Sequence, residues 1–274
     1  HLAVVAGGRS CVADIACVGQ DAGRHGHVRR LDGRCGCCGC GGAAVRTLTI
    51  ADPALLGGRQ SPAAAFKAAA LALSPAGMWM FDETSGTTAA DSSGWGKNLT
   101  LTNGPVLTAG GPLGRYCEFD GSNDYATGAG ISFTGEWSAV ACVRIDTMAD
   151  RQIVGNWMTG NQRWIFALTS TGIEGYAWNS GYVGFGVATT LTGGSWAMVG
   201  MSRRTGSGNS SLYRAGVQLA TGTIAAPIGG STTEVGRKDG AANSIDGGIC
   251  GVVVYDKALS TAQHLALAQA AGLA

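Results

Sequence analysis

Four cysteines fall within six positions of one short stretch, RCGCCGCGG: Cys35, Cys37, Cys38 and Cys40. They form two interleaved C-x-x-C pairs, a spacing that suits a soft metal ion such as zinc or a redox-active dithiol. The intervening glycines make a preorganised site costly, and no second C-x-x-C pair lies further along the chain to complete a zinc site. Metal binding, disulfide crosslinking and a tightly turning arm all stay open for this stretch, and we favour the arm.

Paired carboxylates are the second chemistry that the residue types allow. Some glycoside hydrolases place the pattern E-x-D-x-x-E on one strand, because a retaining mechanism needs two carboxylates about 5 Å apart. Glu118 and Asp120 begin this pattern, but Asn123 stands where the second Glu is needed. The sequence also contains no G-x-S-x-G elbow, Walker loop or H-E-x-x-H motif. We therefore predict no catalytic residues, with a glycoside hydrolase as the least supported alternative.

The charge and hydropathy of the chain limit its partners. The 274 residues carry a formal net charge of +1, too little to attract nucleic acid or an anionic membrane surface. No run approaches the roughly 18 apolar residues that span a bilayer. We therefore expect neither nucleic acid nor a membrane as a partner.

Aromatic residues divide the chain into two parts. All seven Trp, six Tyr and six Phe lie at or after Phe66, whereas six of the nine cysteines lie before it. A Gly- and Arg-containing segment without aromatic residues buries too little apolar surface to fold alone. Residues 1–60 are therefore predicted to be an extended arm that binds other protein subunits. Three further cysteines occur in strand-like settings and are predicted to be buried thiols: Cys117, Cys142 and Cys250.

A helix and then a series of strands are predicted after the arm. Ser61-Pro62 is typical of a helix start and Ser74-Pro75 of its end, which predicts a lead-in helix in residues 61–75. From Gly77 onward, short β-rich runs alternate with polar, Gly-rich turns about every ten residues, which is typical of an antiparallel sandwich or jelly roll. The clearest runs are residues 77–82, 97–102, 115–120, 136–145, 151–157, 163–168, 172–178, 195–203, 211–216 and 249–255.

A second helix is predicted at the end of the chain. Ser260 and Gln263 form an S-x-x-Q capping box, and the Ala- and Leu-rich segment that follows reaches Gly272.

Several segments, in the same order, resemble laminin-G-like, concanavalin A-like jelly-roll domains. They are MWMFDETSGTTAADSSG from Met78, CEFDGSNDY from Cys117, WSAVACVR from Trp137 and the pattern D…V-Y-x-x-A-L-S from Asp246 to Ser260. The resemblance covers residues 76–271. It implies an all-β fold: an antiparallel β-sandwich of the concanavalin A-like jelly-roll type in residues 76–274, which includes the C-terminal helix.

The resemblance also implies a rim that holds calcium and binds glycans or proteins. The hard oxygens of Asp120, Asn123 and Asp124 suit calcium, but this ion needs about six to eight oxygen ligands. A turn in which these side chains bond their own backbone explains the same residues. Both interpretations stay open, and we favour the turn.

Exposed aromatic side chains are the second feature, after the rim residues, that indicates glycan binding, because sugar rings stack on Trp and Tyr. Trp178 and Tyr182 flank a predicted turn that contains Asn179. Aromatic residues within strands more often belong to the core, which applies to Trp164 nearby. Trp178, Asn179 and Tyr182 are therefore the predicted ligand-binding residues.

The lead-in from Ala65 to Trp79 resembles the helix-then-strand entry of laminin-G-like domains in tailed-phage virion proteins. This resemblance implies a non-enzymatic capsid-decoration or tail-associated protein at the virion surface. Residues 1–60 would anchor it to the viral shell, and the jelly roll would project to recognise surfaces or glycans. A secreted bacterial lectin or adhesin, with an extracellular location, is the alternative.

Overall fold

The computed structural model describes residues 2–6, 9–13, 60–133, 135–158, 161–178, 181–191, 193–227, 230–237 and 244–274. The chain divides into two units, residues 1–59 and residues 60–274. In the first unit, strands β1 (Leu2–Ala6) and β2 (Arg9–Ala13) pair antiparallel, a hairpin that the sequence did not predict. The four clustered cysteines lie outside the described residues: Cys35, Cys37, Cys38 and Cys40. Their chemistry and the attachment role of residues 1–60 stay predictions.

The second unit is built mainly of strands. Its elements are α1 (Pro62–Leu71), β3 (Gly77–Trp79), β4 (Thr88–Ala89), β5 (Leu99–Thr102), β6 (Val106–Gly111), β7 (Gly114–Asp120), β8 (Tyr125–Ala129), β9 (Trp137–Ile145), β10 (Arg151–Met158), β11 (Asn161–Leu168), β12 (Gly172–Trp178), β13 (Tyr182–Ala188), β14 (Trp196–Arg203), β15 (Ser210–Arg214), β16 (Val217–Gly222), β17 (Thr232–Val235), β18 (Asp246–Tyr255) and α2 (Thr261–Ala270).

These strands form two antiparallel sheets. The front sheet has the order β13-β12-β11-β10-β17-β8-β5-β4. The back sheet has the order β16-β15-β14-β9-β18-β7-β6, with β3 paired to the last part of β18. The sheets pack face to face around a shared apolar core. The predicted all-β, antiparallel jelly-roll sandwich is confirmed.

Aromatic rings fill the core between the sheets. Trp137 stacks on Phe133 with ring centroids 5.8 Å apart and lies 5.0 Å from the ring of Trp164. The Trp164 indole N–H donates to the Ile131 carbonyl over 2.9 Å, and the side-chain amide of Asn156 donates to the same oxygen over 2.7 Å. Trp164 is therefore a core residue, as we predicted for aromatic residues that lie within strands.

A second core lies between the back sheet and the two helices. Phe66 of α1 and Leu267 of α2 are buried there with Met198 of β14 and Val253 of β18. The predicted helix caps are confirmed: Ser61 accepts from the backbone N–H of Ala64, and the capping box opens α2. α1 ends at Leu71, a few residues before the predicted boundary.

The prediction of three buried thiols is wrong for two of them. Cys142 of β9 and Cys250 of β18 form a disulfide, with their Cα atoms 5.5 Å apart. They are 108 positions apart in the sequence, but β9 and β18 pair, and a bulge between Ile249 and Gly251 sets Cys250 beside Cys142. Cys117 is a free, buried thiol as predicted, and burial raises its pKa.

A buried polar network joins α2 to the back sheet. The His264 ring is 2% exposed, stacks on Tyr213 with centroids 3.8 Å apart, and places Nε2 2.9 Å from Ser202 Oγ. Ser202 Oγ in turn donates to the Leu259 carbonyl over 3.0 Å and lies 2.9 Å from Ser138 Oγ. Because burial, and then the charge of Arg204, disfavour the imidazolium, the pKa of His264 falls from 6.5 to about 3.

This network predicts a stability that depends on pH. Between pH 6.5 and about 3 the unfolded state binds a proton at His264 that the folded state does not, so stability falls as the pH drops below 6.5. We expect His264→Gln to remove up to about 1 kcal/mol of this loss per pH unit. Urea unfolding of the two proteins from about pH 7 to about pH 5 measures the difference. Equal pH dependence in both proteins would contradict the burial of a neutral imidazole.

Candidate functional site

The β12–β13 hairpin carries a cluster of three aromatic side chains that we call the aromatic ledge: Tyr176, Trp178 and Tyr182. Trp178 and Tyr182 are direct cross-strand partners, and their ring centroids lie 4.7 Å apart at an interplanar angle of 73°. The Tyr182 ring also meets that of Tyr176 edge to face at 5.2 Å. Tyr182 is 52% exposed. The hairpin therefore holds one tyrosine between two aromatic contacts and leaves half of it open to a ligand.

Strand alternation explains why these three rings share a face. Ile173 and Ala177 of β12 belong to the core between the sheets, so Tyr176 and Trp178 point to the outer face of the front sheet. β13 is an edge strand of this sheet, and its outward positions opposite Glu174 and Tyr176 are glycines.

Glycine is required opposite Tyr176. A Cβ at Gly184 would lie 2.1 Å from the Cβ of Tyr176. The missing side chain lets Tyr176 lie close to the edge strand and reach Tyr182.

The structure brings together two of the three predicted ligand residues. Trp178 and Tyr182 form the ledge, whereas Asn179 lies outside the described residues. Tyr176 was missed, although its place two residues before Trp178 puts both side chains on one face of a strand. The alternation of side chains along β12 was the sequence signal that identifies Tyr176 as a neighbour of Trp178.

The other predicted rim residues form a hydrogen-bonded turn between β7 and β8. Asp120 Oδ1 accepts the backbone N–H groups of Ser122 over 2.8 Å and Asn123 over 3.2 Å. Asp124 Oδ2 accepts the N–H of Asp120, and burial followed by the nearby Asp120 charge raises the pKa of Asp124. The side chains of Asp120 and Asp124 thus bond the backbone of this turn, as the turn interpretation predicts, and Asn123 takes part through its backbone N–H.

Calcium at this turn stays a prediction. Asp246 of β18 pairs with Asp120 of β7, which adds a third carboxylate to the neighbourhood of Asp120 and Asp124. Within the described part of the chain, however, no group of three or more His, Cys, Asp or Glu residues is arranged to hold a metal ion.

Glu118, the first position of the hydrolase-like pattern, lies in an ion pair. Its carboxylate binds the Arg144 guanidinium, which also contacts Asp146 and the hydroxyl of Tyr116. The Glu118 carboxylate is therefore occupied by a structural ion pair at the surface of the back sheet.

A loop between β4 and β5 is organised by the carboxylate of Asp91. Oδ1 accepts the N–H groups of Met78 at 3.0 Å and Ser93 at 2.8 Å; Oδ2 accepts the Ser93 hydroxyl at 2.7 Å and the N–H of Lys97 at 2.9 Å. Burial opposes ionisation of Asp91, but these four hydrogen bonds outweigh it and lower its pKa. The segment ADSSG, residues 90–94, therefore ties the loop to β3 through Asp91. We call these four hydrogen bonds of the Asp91 carboxylate the Asp91 clamp.

The comparison with protein families decides the classification. The family model described as the concanavalin A-like lectin/glucanases superfamily, of the laminin G type, matches residues 119–263, more than half of the chain. The chain belongs to this superfamily. No curated protein matches the sequence of this superfamily member significantly.

Solved structures share the fold of this superfamily member at low identity. The binding domain of Paraclostridial Mosquitocidal Protein 1 has a TM-score of 0.58 and 13% identity, over 72% of this chain and 52% of that chain. The ligand binding domain of botulinum neurotoxin serotype D, solved with N-acetylneuraminic acid, has a TM-score of 0.58 and 14% identity, over 74% of this chain and 52% of that chain. Trypanosoma rangeli sialidase has a TM-score of 0.52 and 14% identity, over 71% of this chain and 32% of that chain.

These likenesses concern the jelly roll alone. The chain spans about half of each toxin domain and about a third of the sialidase. Neither helix of the described residues is long and apolar enough to cross a membrane.

The Asp91 clamp predicts a large cost for removing its carboxylate. Asp91→Ala leaves the N–H groups of Met78 and Lys97 without their acceptor, and we expect a loss of about 2–3 kcal/mol in the free energy of unfolding. Asp82→Ala is the matched control, because Asp82 is an exposed carboxylate in the preceding segment, and should change stability by less than about 0.5 kcal/mol. Urea unfolding measures both, and equal effects would contradict the clamp.

Proposed function

We propose that this chain is a non-enzymatic glycan-binding protein of a virion surface, with the aromatic ledge as its ligand site and residues 1–60 as its attachment arm. The observation that carries the proposal is the half-exposed ring of Tyr182, held edge to face by Trp178 and Tyr176. The neighbouring rings restrict its movement, so little side-chain entropy is lost when a ligand binds. An exposed, preorganised aromatic face suits the apolar C–H face of a sugar ring.

The position of the ledge supports a binding role. It lies at the end of a hairpin on the edge of the front sheet, where a projecting glycan reaches it without entering a deep cavity. The serotype D neurotoxin domain was solved with N-acetylneuraminic acid, which makes sialylated glycans a reasonable part of any ligand screen. The likeness to the neurotoxin domain is one of fold alone. The proposal for this chain therefore rests on the geometry of the ledge.

The chemistry of the described residues supports binding without catalysis. Glu118 forms an ion pair with Arg144, and Asp120 accepts backbone N–H groups in a turn. Ser202 and His264 form a hydrogen bond, but Ser202 is fully buried and its hydroxyl also bonds the Leu259 carbonyl. The pair therefore lacks the access to substrate that a nucleophile needs.

Glycan binding can be measured on an array with the fluorescently labelled chain, with and without calcium. We expect Tyr182→Ala and Trp178→Ala each to weaken binding at least about tenfold, because each removes stacking area or the support of the neighbouring ring. Val183→Ala is the matched control: Val183 is 41% exposed on the same strand, but its side chain alternates to the other face.

The result that contradicts the ledge is glycan binding that survives both aromatic substitutions. Turnover of a polysaccharide that is lost on Glu118→Gln would contradict the non-enzymatic proposal. Binding that needs calcium and is lost on Asp120→Asn would instead place the ligand site at the turn between β7 and β8.

The virion role rests on the sequence of the first part of the chain. A segment of 60 residues without aromatic side chains, followed by a phage-like lead-in helix, suits a protein whose arm is held by neighbouring subunits. A secreted lectin or adhesin differs from this proposal in one respect, since it would need no shell to hold the arm.

Limited proteolysis of the isolated chain tests the attachment arm. We expect a protease to remove residues 1–60 rapidly in dilute solution and to leave residues 61–274 intact, because the second unit contains both apolar cores. Mass spectrometry identifies the cleavage sites. A stable monomer with a protease-resistant arm would contradict the anchoring role.

A further inference from the structure

A second exposed aromatic side chain lies far from the ledge along the front sheet. Trp95, in the loop between β4 and β5, is 71% exposed, whereas Trp79, Trp137 and Trp164 are fully buried. Tryptophan contributes more to core burial than almost any other side chain, so one that is left in solvent suggests a binding role.

The backbone holds Trp95 in a defined position. Gly94 and Gly96 on either side adopt φ angles of +93° and +68°, which few residues other than glycine adopt. The indole N–H of Trp95 donates to the Pro75 carbonyl over 3.1 Å. The Asp91 clamp fixes the loop on both sides of the tryptophan, through Ser93 and Lys97. One edge of the ring is therefore anchored, and much of its surface stays open.

Trp95 borders an open cleft of about 300 Å³. Pro75 and Ile131 supply buried apolar surface to its lining. Lys97 and Asp256, whose side chains carry an ammonium group and a carboxylate, also line it, as does Ser132, whose hydroxyl bonds the backbone of Gly230. The cleft thus combines an aromatic ring with hydrogen-bond donors and an acceptor, and its two charges cancel.

We propose that this Trp95 cleft is a carbohydrate subsite that binds one neutral pyranose of a glycan, an inference that rests on the proposed glycan-binding function. The apolar C–H face of the sugar stacks on Trp95. Its hydroxyl groups accept from Lys97 and donate to Asp256, as the mixed polarity of a pyranose edge allows. A peptide with a single charge would leave either Lys97 or Asp256 without an oppositely charged partner.

The cleft and the aromatic ledge lie at the same end of the front sheet. Ala177 of β12 and Leu99 of β5 lie in one row across β11, β10, β17 and β8. Trp178 follows Ala177 in β12, and Lys97 precedes Leu99 of β5 in the chain. Because β12 and β5 run in opposite directions, both residues lie at the same end of the sheet. Five strand spacings separate them, about 24 Å along the sheet. One extended glycan can therefore contact both sites, which raises its affinity through a high effective concentration.

Indole N–H signals in a ¹H–¹⁵N spectrum of the labelled chain test this subsite. Trp95→Phe assigns the Trp95 signal by its absence, and Trp178→Phe assigns the second signal. The probes are the methyl β-glycosides of galactose, glucose and N-acetylglucosamine, with glycerol as the control polyol. We expect at least one glycoside to shift the Trp95 signal saturably in the millimolar range, the affinity of a single sugar ring.

Side-chain variants sharpen the test. Lys97→Gln and Asp256→Asn should each weaken the binding of that glycoside by about three- to tenfold, since each removes one charge-assisted hydrogen bond. The thermal midpoint should stay within about 2 °C of the parent chain, because both side chains lie at the surface.

The outcomes separate this inference from the proposed function. A shift of the Trp178 signal alone overturns the Trp95 subsite and leaves the ledge. A shift of the Trp95 signal alone supports the subsite and contradicts the ledge, and no shift of either signal overturns both. An equal shift with glycerol, or a response to a peptide without a response to the glycosides, also overturns the subsite.

Discussion

The pairing of β9 with β18 is the constraint on which the rest of the structure depends, because these strands are buried on both faces. One face belongs to the core between the sheets, and the other packs under the helices and carries the Cys142–Cys250 disulfide. β18 also pairs with β7, which ends at the Asp120 turn, and with β3, the first strand of the sandwich. One strand therefore positions both of these elements. The apolar run ICGVVVY serves both cores, which explains why it shows no alternation with polar residues.

Different interactions hold the aromatic rings of the two proposed sugar sites in place. In the aromatic ledge, cross-strand pairing sets Trp178 beside Tyr182, and glycines in the edge strand let Tyr176 approach. In the Trp95 cleft, one half-buried carboxylate, Asp91, fixes the loop between β4 and β5. Both devices hold an aromatic ring in place before a ligand arrives, which reduces the entropy lost on binding. Both sites lie at one end of the front sheet.

Sequence patterns predicted the elements whose residues prefer strands or helices, and missed those defined by their partners. β9, β12 and β18 are rich in β-branched and aromatic residues and were recognised, as were both helix caps. β6, β13 and β16 contain Gly, Ala and Thr at many positions and become strands because neighbours pair with them. The disulfide joins residues 108 positions apart, a contact that local pattern does not reveal. Trp95 was missed because its exposure depends on the fold of the loop around it, which hydrophobic pattern does not show.

A structure of the chain with an oligosaccharide bound would show directly whether the ledge is the ligand site. We expect a sugar ring stacked against Tyr182 at the aromatic ledge, with Trp178 and Tyr176 in their present positions. A sugar bound at a different surface, with the ledge empty and Tyr182 still half exposed, would contradict it.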